Sequence, residues 1–348
     1  MGNLDSNYVL RLRVGDSVEV RSADEILATL DENGTLEFLP FMPEMLKYCG
    51  RQFRVYRRVD KTCDTIIRDG TRTMKNTVLL EGLRCDGESH AGCQAECMLF
   101  WKEAWLKRIE TKDRTEANLK RTSSTGLCNV ETLNSKTRVT PESMPDEEMV
   151  YSCQATEMRK ATTPLPAWHL GQYFLDVWSG NVKVSTIIRG FLIWVFNVIQ
   201  AYRKGGHYPY INGKLDKTPV IKLDLQPGEL VQVRPKVEIL DTLDVMHRNR
   251  GLSFDREMVR YCGGIYRVHR RVNKLLNEQT GKMINIKADC IVLEGVICTG
   301  ELNRFCPRSV FPLWKESWLK RVDASNSQGQ PHSEIQSLLA RLRNRRSR

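Results

Sequence analysis

The chain has 348 residues, of which 41% are hydrophobic and 27% charged, with a net charge of +11. Those proportions are ordinary for globular protein, and the length excludes a single hydrophobic core. Eleven cysteines, an odd number, exclude a fully paired disulfide framework.

Read in order, Gly15-Asp16 forms a turn before alternating Val18 and Val20, which predicts a strand. Ser22 through Leu30 predicts a short helix, with Ser22 as N-cap and Glu25 closing a capping box. Ile26, Leu27 and Leu30 then share its apolar face. Gln52 to Val59 alternates apolar and basic residues, which predicts a half-buried strand with a basic outer face. Thr77 to Leu83 predicts a further strand, and Phe100 to Ile109 fits either a helical turn or a last strand. Residues 110–150 are polar and predict a linker. Residues 151–226 predict a helical insert, with helices over Trp168–Trp178 and Val184–Tyr202. The second is strongly apolar, yet Arg189, Asn197 and Gln200 interrupt it, so no transmembrane span is expected. Packing between two modules is the expectation for it, with peripheral membrane contact through 184–203 as the other reading. Residues 323–348 form a basic tail.

Residues 15–109 reappear as 228–322 without insertion or deletion. Tyr48-Cys49-Gly50 matches Tyr261-Cys262-Gly263, and Trp101-Lys102-Glu103 matches Trp314-Lys315-Glu316. The organisation expected is therefore a first repeat (1–109), a linker (110–150), a helical insert (151–226), a second repeat (227–322) and a tail (323–348). Short strands separated by turns within each repeat predict a small, bent β-barrel and a mainly β (α+β) protein. Each copy opens Gly-Asp/Glu-x-Val-x-Val-Arg and continues with Gly-x-x-Phe/Tyr-Arg-Val. This pattern resembles the SH3-like barrels of ribosomal and elongation-factor modules and of the nitrile hydratase beta subunit. The whole chain resembles a bacterial family of tandem SH3-like modules, from which no activity follows.

The strongest chemical signal lies in the first repeat: Cys63, then Cys85, Cys93 and Cys97, with His90 in the same loop. Thiolates and imidazole suit zinc or an iron–sulfur cluster, and Gly87, Ala91, Gly92 and Ala95 let a loop wrap tightly. The second repeat keeps Cys298 and Cys306 at the places of Cys85 and Cys93. It carries Leu276, Asn303 and Val310 in place of Cys63, His90 and Cys97. Joint loss of three candidates is what disappearance of one site predicts. Cys290, Cys298 and Cys306 then form a degenerate second site. Cys49 and Cys262, within Tyr-Cys-Gly, are read as small core residues.

No apolar run marks the N-terminus as a secretory signal, and Met1 to Ser6 fits only the short myristoylation pattern. A reducing, cytoplasmic compartment is expected. The phosphate loops, nucleophile elbows and zincin motifs of common enzymes are missing, so the expected role is non-catalytic. Zinc in a scaffold that binds a protein partner through Arg54, Arg57, Arg58, Arg267, Arg270 and Arg271 is the primary expectation. An iron–sulfur accessory component and a nucleic-acid-binding protein, using the same basic strands with interleaved aromatics, are the rivals.

Overall fold

The computed structural model describes residues 9–67, 70–109, 128–139 and 149–322. The Met1-to-Ser6 pattern, most of the 110–150 linker and the 323–348 tail lie outside the described residues. Within them the protein is mixed α+β with strands predominating, built on two curled five-stranded sheets.

In the first half β1 (Ser17–Val20), α1 (Ala23–Leu27), β2 (Gln52–Arg58), β3 (Lys61–Cys63), β4 (Thr71–Thr73), β5 (Thr77–Arg84), β6 (Met98–Lys102) and β7 (Leu106–Arg108) follow in turn. Three helices come next: α2 (Val130–Lys136), α3 (Gly171–Trp178) and α4 (Val184–Tyr202). The second half has β8 (Leu230–Val233), α5 (Lys236–Leu240), β9 (Ile265–Leu276), β10 (Met283–Leu293), β11 (Trp314–Lys315) and β12 (Leu319–Arg321). The first sheet runs β6-β5-β2-β1-β7 and the second β11-β10-β9-β8-β12, so corresponding strands occupy corresponding places. Register agrees too: Val18 faces Phe53 as Val231 faces Tyr266.

Local sequence explains these elements. Val18 and Val20 are buried on one face of β1, as period-two alternation requires. Ser22 accepts the Glu25 N–H while Glu25 caps the Ser22 backbone, so α1 begins where the capping box predicts. The 100–109 stretch resolves its ambiguity by being both, with a 3-10 turn over Glu103–Trp105 between β6 and β7. Under each sheet an aromatic cluster fills the core. Phe41 meets Trp105 edge-to-face at 5.1 Å, and Phe254 meets Trp318 at 5.3 Å. The indole of Trp105 donates to Thr29 and that of Trp318 to Thr242.

The basic outer face expected of β2 keeps Arg54 exposed but loses Arg58. A bulge between Val55 and Arg57 shifts the alternation, and Arg58 turns inward to pair with the fully buried Glu103. Glu103 also accepts the N–H groups of Leu10, Arg11 and Leu12. The second half repeats the device: Arg271 pairs with Glu316 at 2.8 Å, and Leu223, Asp224 and Leu225 donate to that carboxylate. Desolvation would raise the Glu316 carboxyl, but those N–H groups and Arg271 hold it below its ordinary value. A depressed folded-state pKa contributes stability that is full above the unfolded value of about 4.3 and is lost as pH falls from there through the lower folded value. Acidification is therefore expected to lower the melting temperature below about pH 4, less steeply in Glu316→Gln. Identical acid slopes in thermal unfolding of the two proteins would contradict this.

The two halves pack face to face with reciprocal contacts. Thr65 and Glu278, which are 213 residues apart and occupy equivalent positions, hydrogen-bond to each other. The Cys63 N–H donates to Cys306 Sγ at 3.2 Å, and the Leu276 N–H, at the place of Cys63, donates to Cys93 Sγ at 3.3 Å. Glu96 meets His269, as Ser309 meets Tyr56. Such i-to-j, j-to-i contacts are the signature of a two-fold arrangement, here between halves of one chain.

Two helical segments depart from expectation. Within the expected linker, α2 places Leu133 in the first core, and Cys128 is buried beside it. The α4 helix, expected to pack between the modules, contains no buried residue. It is 19 residues long, with an 18-residue stretch of mean hydropathy 1.5, long and apolar enough to cross a membrane by length and composition.

Candidate metal centre

Three short elements converge at one end of the first sheet: the 3-10 helix Pro43–Tyr48, the end of β5, and the 3-10 turn Glu88–His90. They bring Glu44, Cys85 and His90 together, with ligand atoms all within 4.8 Å of one another; Glu44 and His90 are buried and Cys85 is half-buried. Cys85 Sγ lies 3.5 Å from His90 Nε2 and 3.3 Å from Glu44 Oε1. Ser89 bridges the others, donating to Glu44 Oε2 at 2.6 Å and lying 3.1 Å from His90 Nδ1. No Lys or Arg among the described residues pairs with the Glu44 carboxylate, so this buried acid has only a thiol and a hydroxyl as partners.

The loop that builds the site depends on Gly87. Its φ is +79°, and a Cβ there would stand 2.2 Å from the Cys93 carbonyl oxygen. Gly300 meets Cys306 in the same way. Gly87→Ala is expected to cost more than about 2 kcal/mol through strain and clash. Denaturant unfolding of that variant against the native chain measures it, and Gly92→Ala, equally strained at φ +73° but with a Cβ in open space, separates the clash from the strain.

Glu44, Cys85 and His90 open onto a cavity enclosing about 40 Å³, also lined by Cys93, Cys97 and Cys153. That is room for one or two waters or an ion. Leu276, Glu278 and Arg308 of the second half close it. Burial holds His90 below its usual value, which keeps the imidazole neutral. Burial raises the Cys85 thiol far above its usual value, Cys97 to about 11 and Cys153 to about 12. A bound cation would reverse that preference, since coordination deprotonates a thiol.

Of the five ligands expected from sequence, Cys85 and His90 come together, while Cys93 and Cys97 line the same cavity. Cys63 does not join them. It lies on β3, which reaches across to the second half, and its N–H and thiol engage Cys306. The Cys306 thiol, although desolvated, is held low by the Cys63 hydrogen bond and by Arg308. Cys290, Cys298 and Cys306 occupy three different surroundings, and they form no donor cluster among the described residues. Cys290 packs with Val272 and Val292, while Cys298 sits near Glu257.

Glu44 is the residue that sequence reasoning missed. Its signal was available, because Glu257 stands at the same place in the second copy. There it accepts from Thr299 and the Leu302 N–H instead, and Asn303 occupies the place of His90.

The arginines expected to make a free basic surface are largely consumed. Arg58 and Arg271 hold the buried glutamates, Arg267 pairs with Glu294, and Arg270 engages Glu96 and Gln94 across the two halves. Arg54 is exposed, and Arg57 stacks over Tyr56. Comparison of the chain with known protein families, curated proteins and solved structures finds no match.

Proposed function

We propose that this protein is a non-catalytic scaffold of two SH3-like modules in which Glu44, Cys85 and His90 hold a structural zinc ion. The observation that carries the reading is a buried carboxylate and imidazole and a half-buried thiol within 4.8 Å of one another beside a space the size of an ion. Soft and borderline donors in that mixture suit zinc, which takes sulfur, nitrogen and oxygen ligands in tetrahedral sites. A single thiolate in the trio argues against an iron–sulfur cluster, which is held by several. Zinc here braces the 85–97 loop beneath Leu276 and Arg308, and so stiffens the contact between the modules. The second copy, with Asn303 in place of His90, keeps the fold with hydrogen bonds instead.

Elemental analysis of the purified full chain tests the proposal. One zinc per chain in a colourless solution is the expected result. A brown protein containing iron, or one with no metal after preparation in zinc-containing buffer, would overturn it.

A further inference from the structure

The α4 helix carries Val184, Ile188, Phe191, Leu192, Val195, Ile199 and Tyr202 at helical spacing, which sets them on one face. All but Val195 are exposed, with Phe191 and Leu192 about 60% accessible. An apolar stripe of this size left in water marks a contact surface. The stripe is not free to roll inward, because the other side of the helix is fastened. A Cβ on Gly190 would come within 2.7 Å of the Phe305 ring, and the Asn197 side chain hydrogen-bonds to the Tyr208 backbone in both directions. Neighbouring α3 is anchored by the buried pair of Lys61 and Asp176 at 2.6 Å.

We propose that α4 seats the protein on an anionic phospholipid surface, lying in the plane of the interface with this stripe among the acyl chains. Charge identifies the occupant. Between Asp176 and Asp216 the chain carries Lys183, Arg189, Arg203, Lys204 and Lys214 and no acidic residue. A second copy would bring like charges together, whereas acidic headgroups complement them. Trp194 and Tyr202, both exposed, suit headgroup depth, as does Trp168 on the approach to α3. The close approach at Gly190 holds the helix against Phe305 of the body, and Asn197 ties its second half back to the segment that follows it, which favours lying over crossing.

Co-sedimentation of the full chain with phosphatidylcholine vesicles, with and without about a third phosphatidylserine, tests this. Binding to the acidic vesicles alone, weakened by salt, is expected. Phe191→Glu with Leu192→Glu should abolish it. Arg203→Glu with Lys204→Glu, which leaves the stripe intact, should weaken it at least about tenfold. Circular dichroism checks that each variant folds. Absence of vesicle binding would overturn the proposal, and a concentration-dependent dimer dissolved by the Phe191/Leu192 change would assign the stripe to a second copy instead. Retention in the membrane through alkaline carbonate would overturn the lying geometry in favour of a span.

Discussion

Replacing Glu103 with alanine is expected to destabilise the protein by about 3–5 kcal/mol, more than any exposed substitution. The side chain is fully buried, and its carboxylate accepts three consecutive backbone N–H groups while pairing with Arg58. Removing it leaves those donors without partners and strands a guanidinium that is only 6% exposed. Asp60, bound to Arg58 at 2.9 Å, compensates only part of the charge. Glu103→Gln keeps some of the hydrogen bonds and should lose less. Denaturant titration measures both variants, and a loss below about 1 kcal/mol for Glu103→Ala would contradict the assigned role. The same glutamate closes the second sheet, so Glu316→Ala should behave alike.

His90→Ala is expected to lower zinc affinity at least about a hundredfold, because even residues that only orient a ligand cost ten- to a hundredfold. Cys85→Ser should do the same. Cys63→Ser should leave zinc affinity unchanged, since that residue faces Cys306 rather than the Glu44 trio. Competition against a chromophoric chelator separates the two outcomes. Loss of zinc in Cys63→Ser, with His90→Ala unaffected, would exchange the site for one assembled from sulfurs.

Much of the fold was legible from local pattern. Val18 and Val20 declare a strand, Ser22 and Glu25 a helix start, and the offset of 213 residues a recurring strand order. These features are set by neighbours in sequence. What escaped depends on distant partners. Arg58 reads as an outward residue until Glu103 and the bulge after Val55 turn it inward. Cys63 reads as a member of its own loop's cysteine set, yet its partner Cys306 is 243 residues away, because each half covers the other's loop. Comparing the copies grouped Cys63 with His90 and Cys97 as one vanished site. Two-fold packing separates them, since the position of Cys63 serves the opposite module. Glu44 shows no local periodic signal, and only its match to Glu257 in the second copy marks it. The apolar pattern of α4 predicted its extent, whereas its exposure followed only from where Phe305 and Tyr208 fasten it.

X-ray absorption at the zinc edge of the purified full chain addresses the metal centre most directly. The predicted first shell has one sulfur at about 2.3 Å, with the remaining ligands nitrogen and oxygen at about 2.0–2.2 Å. A shell of three or four sulfurs, or zinc bound only to water, would contradict coordination by Glu44, Cys85 and His90.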